Sequence, residues 1–162
     1  MKNKNILFDR NELKYRQSTS AVIFDKLGRI LVVQKMSYKN DEWDIPGGGI
    51  EEGERSDQAV LRELGEELGC DEFEIINVSK KKDCYEWPDE VIVKKFREKG
   101  IMYRGQKRTQ FLVKFTGEEI DLKIQIEEIR IYKWVFPKEL DGLLVFPEQL
   151  DRMKLLLEEF GV

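Results

Sequence analysis

Residues 48–70 read GGIEEGERSDQAVLRELGEELGC, and the rest of the chain is best read outward from them. Between Ser56 and Leu68 the apolar residues Val60, Leu61, Leu64 and Leu68 recur at helical spacing and form one stripe. Ser56 or Asp57 can cap the start of this helix, and Gly69 stops it at the C′ position. At about 100° per residue, Glu63, Glu66 and Glu67 fall within roughly one-third of the circumference, about 120° from the stripe. One side of the helix can then be buried while another presents three carboxylates. Like charges three and four residues apart repel, and a bound cation would turn that cost into affinity. Carboxylates on a rigid face suit Mg²⁺ or Mn²⁺, which take oxygen ligands. Gly65, in mid-helix, costs roughly 1 kcal/mol against alanine and leaves room for close approach. Arg62 can hold a carboxylate through a bidentate contact.

Upstream, Thr19–Asp25 reads as a strand, 26–29 as a turn, and Arg29–Lys35 as the returning strand. Residues 36–42 form a polar loop, and Gly47-Gly48-Gly49 marks irregular backbone ahead of the helix. Residues 1–17 are polar and weakly patterned, an N-terminal extension or edge element. Downstream, Phe73–Trp87 is mostly extended, 88–99 holds a short helix read as an insertion, and Arg108–Thr116 and Ile129–Phe136 are strands. Pro147–Phe160 is a final amphipathic helix. Strands mixed with two main helices give an α+β chain with a mixed sheet between helical layers. The 162 residues fit one domain, 1–162, with its core at about 18–160.

Composition narrows the chemistry. With 41% hydrophobic and 37% charged residues the chain can build a core under a charged surface. It shows no membrane span and no signal peptide, so a cytoplasmic protein is expected. Cys70 and Cys84 lack disulfide-framework or metal-ligand spacing. The chain has no histidine, so catalysis must rest on carboxylates, lysine, arginine, tyrosine or hydroxyls. Glu51–Glu74 holds ten acids and two bases, and Lys80–Arg108 ten bases and five acids. Such neighbouring blocks could bind a cation and a polyanion together, although two solvated faces would look the same.

A solvated acidic helix would also carry Glu63, Glu66 and Glu67. The residues around them decide: Gly48, five residues, Glu54, seven residues, Arg62-Glu63-Leu64, one residue, Glu66-Glu67, one residue, Gly69-Cys70. This resembles the Nudix box, G-x5-E-x7-R-E-U-x-E-E-x-G-U, in which U is a bulky apolar residue. All fixed positions match, and chance gives about 10⁻⁸ per start point at average residue usage. Cys70, a small hydrophobe, is the one soft departure. The resemblance implies a Nudix α/β/α sandwich with a central mixed sheet and a metal-dependent pyrophosphohydrolase. It implies Glu63, Glu66, Glu67 and Gly48 as the metal set, Glu54 as a support, and Arg62 as the residue that orients a box glutamate. Family members place the general base either in the box, here Glu66 or Glu67, or in a later loop. In this chain Glu127 and Glu128 precede the strand bearing Trp134, and Glu128 resembles the distal glutamate of RNA 5′-pyrophosphohydrolases and diadenosine-polyphosphate hydrolases.

Two further stretches resemble that subgroup: Trp43-Asp44-Ile45-Pro46-Gly47-Gly48-Gly49, and Gly105-Gln106-Lys107 leading into Phe111-Leu112. The chain departs at Gly47, where bacterial RNA pyrophosphohydrolases usually carry glutamine. Lys107 and Arg108 are candidate phosphate contacts. Trp43, Tyr85 and Phe136 can stack on a base, and core packing is the competing role for each. Three readings follow: a hydrolase of dinucleoside polyphosphates or triphosphate-ended RNA, a general (d)NTP or nucleotide-sugar pyrophosphohydrolase, and a non-catalytic nucleotide-binding module. The intact box acids speak against the third. Oligomeric state leaves no mark in the sequence.

Overall fold

The protein is described from a computed structural model covering residues 5–162. Its sheet comprises β1 (Tyr15–Phe24), β2 (Ile30–Lys35), β3 (Phe73–Val78), β4 (Asp83–Glu86), β5 (Gly105–Phe115) and β6 (Ile129–Val135). Its helices are α1 (Ser56–Leu68), α2 (Asp89–Lys99) and α3 (Gln149–Phe160). The strand order is β3-β5-β1-β2-β6, with β4 on the same edge of β5 as β3. β1 and β5 run parallel from Tyr15↔Gly105 to Phe24↔Lys114, and the other pairs are antiparallel. The sheet is therefore mixed.

Alternation along the strands sorts the core into two layers. Ala21, Ile23, Leu31, Val33, Phe111 and Val113 face one way and meet Val60, Leu64 and Leu68 of α1. Val22, Ile30, Val32 and Leu112 face the other way and meet Met153, Leu156 and Leu157 of α3. The sheet thus lies between α1 and α3, which is the α/β/α sandwich expected from the sequence. Leu61, assigned above to the apolar stripe, is 40% exposed, and Ala59 is buried in its stead.

Two further expectations are corrected. Residues 15–17 belong to β1, an interior strand, and a short 3₁₀ turn at Arg10–Glu12 precedes it. Their polar side chains hid the strand because they line a cleft instead of a core. At the start of α1, Arg55 takes the N-cap position without a side-chain cap. Gln58 reaches back to accept from the Arg55 N–H at 3.1 Å, so neither Ser56 nor Asp57 serves as the cap. Residues 1–4, the start of the expected extension, lie outside the described residues.

The hairpin partner β2 pairs with β1 only near the turn, at Phe24↔Ile30. Along the first half of β1 the glycine loop takes the vacated edge. Thr19 N–H donates to the Gly48 carbonyl at 2.8 Å, Ala21 N–H to Pro46 at 2.9 Å, and Ile50 N–H to Gln17 at 3.0 Å. This substitution of loop for strand opens the sheet where α1 begins and sets the position of the site.

Candidate active site

Three carboxylates converge where α1, the glycine loop and the segment before β6 meet. Oxygens of Glu63, Glu67 and Glu128 lie within 4.8 Å of one another. Glu63 and Glu67 are brought together by the four-residue spacing of α1. Glu128 arrives through the helix end. The last carbonyls of an α-helix have no partner within it, and here Leu68 accepts from Lys123 N–H at 2.7 Å and Glu67 from Gln125 N–H at 3.0 Å. The captured segment turns tightly, with Glu128 N–H donating to Gln125 at 2.9 Å, and delivers the Glu128 side chain to the cluster.

Glycines let the backbone come this close. A Cβ on Gly48 would overlap the Glu63 carboxylate. Gly69, at φ +67°, ends α1 in the left-handed region, and a Cβ there would strike the Lys123 backbone. Gly47 lies against the backbone of Thr19 and Ser20 with no space for a side chain. Its N–H donates to Glu67 at 3.2 Å, while its carbonyl accepts from Lys35 at 3.1 Å. Gly65 behaves differently from the expectation. A Cβ there would stand 3.3 Å from Asp71, away from the carboxylate cluster.

Glu67 is 2% exposed. Burial raises its pKa to about 7, against the lowering effects of Lys35 and the Gly47 N–H, and Glu63 and Glu128 raise it further. Burial likewise raises Glu63, opposed by Arg62. Three acids at this spacing, with one so reluctant to ionise, fit a divalent cation, whose charge would relieve both burial and repulsion.

Arg62 ties the loop to the helix. It donates to both oxygens of Glu54 at 2.7 and 3.0 Å, to the Gly49 carbonyl at 2.8 Å, to Glu63 at 3.0 Å and to Glu66 at 3.2 Å. Its hydrogen bonds hold the Glu54 pKa at about 2. Glu66 turns to Arg62 and is not among the three acids that converge. The Gly48 carbonyl accepts from the Thr19 N–H at 2.8 Å and from the Thr19 hydroxyl at 3.3 Å.

Arg108 is a correction of another kind. It is 8% exposed and donates to Asp44 at 3.1 Å and to Asp83 at 2.9 Å, and Asp83 is also paired with Arg152 at 2.8 Å. Its charge is spent inside the α3 side of the sheet and is not presented to a phosphate. Lys107 points the other way, its ammonium 5.0 Å from the centre of the Tyr15 ring. Trp43 is 8% exposed in the α3 layer with Lys133 over its ring at 4.5 Å, and Arg108 and Arg152 lie over Tyr85. Phe136 is 43% exposed.

The sequence reading missed the residues beside the trio. A cleft of about 480 Å³ opens along the N-terminal half of β1, lined by Lys14, Arg16, Gly49, Arg62, Glu63 and Tyr103 among others. A Cβ on Gly49 would stand 2.6 Å from the Arg16 guanidinium, which also donates to Gln106 at 3.4 Å. Lys35 approaches Glu67 at 3.6 Å. The signal available in the sequence was the basic and aromatic pair Tyr15-Arg16 just ahead of the predicted strand.

An acidic trio able to hold a divalent cation, beside a cleft with arginine and lysine on its wall, is the equipment of a metal-dependent phosphoanhydride hydrolase. Residues 14–157 match the NUDIX domain family model, and the chain belongs to that family. It is 36% identical over 159 residues to an RNA pyrophosphohydrolase of Sphingopyxis alaskensis, covering 96% of this chain and 98% of that one. It is 34% identical over 155 residues to an RNA pyrophosphohydrolase of Wolbachia pipientis subsp. Culex pipiens, covering 93% and 91%. The fold resembles E. coli dihydroneopterin triphosphate pyrophosphohydrolase, with a TM-score of 0.69, 20% identity and coverage of 90% and 99%. It also resembles a C. elegans Ap4A hydrolase, with a TM-score of 0.60, 20% identity and coverage of 88% and 99%.

Proposed function

We propose that this protein hydrolyses a phosphoanhydride bond in a 5′-linked nucleoside polyphosphate, either triphosphate-ended RNA or a dinucleoside polyphosphate. The convergence of Glu63, Glu67 and Glu128 beside a cation-lined cleft carries the reading, and the RNA pyrophosphohydrolase relatives support it over nearly the whole chain. Glu63, Glu67 and Glu128 would hold Mg²⁺ or Mn²⁺. Such an ion, when bound, offsets phosphate charge and acidifies water.

The chain's own residues do the rest. Arg62 fixes the Glu54 loop against α1 and so keeps Glu63 aimed at the cleft. Glu66 acts through Arg62 and steadies its outer nitrogen. Glu128, the exposed member of the trio, accepts the proton of the attacking water, which a carboxylate with access to solvent can then release. Arg16 meets the charge that builds on the phosphoryl oxygens, and Lys107 remains a candidate contact for the outer phosphates. The two cysteines are unpaired, Cys84 on an exposed strand position, which suits a reducing compartment such as the cytoplasm.

The test is a substrate panel with each metal: triphosphate-ended RNA, diadenosine tetraphosphate, ADP-ribose and (d)NTPs. Turnover of the first two above the others is expected, and no turnover of any of them would overturn the reading. Glu67→Gln should lower kcat by about a hundredfold or more, the kinetic equivalent of several kcal/mol of lost charge stabilisation. Full activity in that variant would remove Glu67 from the metal set.

A further inference from the structure

The cleft beside the acidic trio follows β1, and hydrogen bonds fix what stands at each level. At one end the glycine loop runs along the strand: Thr19 N–H donates to the Gly48 carbonyl, Gly49 bridges Ser18, and Ile50 N–H donates to Gln17 at 3.0 Å. Glu63 and Arg62 line this end. Arg16 comes next, with its guanidinium against Gly49. At the other end Arg104 N–H donates to the Lys14 carbonyl at 3.0 Å, which carries the parallel pairing of β5 with β1 one step past Tyr15↔Gly105. That bond holds Tyr103 beside Lys14 in the cleft wall. From Thr19 to Lys14 the chain covers about 17 Å at roughly 3.3 Å per residue. The order along the cleft is therefore acids, then arginine, then tyrosine.

Tyr103 is half-buried yet belongs to neither core layer. Among the described residues no aromatic ring and no cation lies over it. The other rings near the site are engaged. Arg104 and Lys107 each lie 5.0 Å from the centre of the Tyr15 ring, Arg108 and Arg152 lie over Tyr85, and Lys133 lies over Trp43 in the α3 layer. An uncovered ring in the wall of a cleft of about 480 Å³ is a surface on which a nucleobase can stack. We propose that Tyr103 stacks on the base of the substrate's 5′-linked nucleoside, while Arg16, between Tyr103 and Glu63, meets the phosphates that join the two ends. This rests on the reading of the cleft as a polyphosphate site and adds a base-binding end to it. Stacking tolerates any base, so the site selects a nucleoside over a bare polyphosphate and does not select one base.

Two ligands whose phosphates are bridged by methylene groups, and so resist hydrolysis, separate the two ends of the cleft: the bis-methylene triphosphate alone and its adenosine 5′-ester. Calorimetric titration of the full chain in Mg²⁺ should show the ester binding more tightly. Tyr103→Leu should weaken the ester by about tenfold, as loss of one base–aromatic stack does, while leaving the bare triphosphate within about twofold. Tyr103→Phe should keep the preference of the parent. Equal weakening of both ligands, or none, would overturn the proposal and leave Tyr103 as a wall residue. If Tyr103→Leu folds poorly by thermal melting, Tyr103→Met takes its place with the same two outcomes. The matching ester of 2-aminopurine riboside should lose fluorescence on binding to the parent protein and less on binding to Tyr103→Leu. Triphosphate-ended RNA and diadenosine tetraphosphate, added as competitors, show which source brings the base, since the one that occupies the site restores the fluorescence. Restoration by neither would overturn the site. A discriminating titration alongside an inactive substrate panel would reject the hydrolase reading and keep the nucleoside site. An active panel with no discrimination would do the reverse.

Discussion

At the scale of single residues, the glycine loop shows how much of the site is set by absent side chains. Gly47 is held by two hydrogen bonds, to Glu67 and from Lys35, and its Cα lies flat against β1. Gly47→Gln, which restores the residue usual in bacterial RNA pyrophosphohydrolases, should therefore not behave as a benign reversion. Moving the backbone to admit the side chain is expected to cost about 1–3 kcal/mol and to displace the Gly47 N–H from Glu67. Chemical denaturation and kcat measured on the same preparation would show both. A variant as stable and active as the parent would mean that this loop relaxes freely. Arg108 offers the opposite case, a residue whose charge suggested a ligand and whose environment is structural. Arg108→Met strips Asp44 of its ionic partner and leaves Asp83 to Arg152 alone. Breaking a buried pair in this way should cost about 3–5 kcal/mol, visible as a lower denaturant midpoint. Among the molecules that remain folded KM should be unchanged, whereas a phosphate contact would show a raised KM.

At the scale of elements, α1 does two tasks with one geometry. Its apolar stripe docks on the sheet, its acids face the cleft, and its C-terminal carbonyls capture residues 123–125 so that Glu128 reaches Glu63 and Glu67. Gly69→Ala tests this coupling. The left-handed φ and the overlap with the Lys123 backbone should destabilise the protein by about 1–3 kcal/mol. They should also lower kcat without touching any box carboxylate, because Glu128 is carried on the displaced segment. Loss of stability with kcat intact would uncouple the helix end from the site. The same element explains what was legible in the sequence. Helix limits, apolar stripe and acid spacing are local properties of residues 48–70, so periodicity and glycine placement expose them. The lining of the cleft is not local. Tyr15–Gln17 lies in an interior strand although its residues are polar, because parallel pairing with β5 and the glycine loop satisfies its backbone while its side chains face a cleft. Periodicity registers burial, and polar lining residues are not buried. For the same reason Arg108 and Lys107, adjacent in sequence, could not be told apart until the strand put them on opposite faces.

At the scale of the whole molecule, pH acts on the acidic trio through Glu67. Its carboxyl has a pKa of about 7 in the fold against an ordinary value of 4.5. In metal-free protein, between those two values, the folded state holds a proton that the unfolded chain has released. Protonated Glu67 therefore favours the fold fully below pH 4.5, and this contribution is lost as pH rises to about 7. Glu54 runs in the opposite sense, since its contribution is present above 4.5 and lost as pH falls through about 2. A divalent cation binds the ionised trio, so its stabilising effect should grow over the window in which Glu67 gives up its proton. Melting temperatures taken with EDTA and with Mn²⁺ at pH 5, 6, 7 and 8 should show a gap that widens up to about pH 7 and then levels. In Glu67→Gln the gap should be smaller and flatter, because the buried carboxyl that exchanges a proton for the cation is gone. A gap in the parent protein that does not change with pH would place the cation elsewhere, and Glu67 would then be a buried acid held by Lys35 and the glycine loop alone.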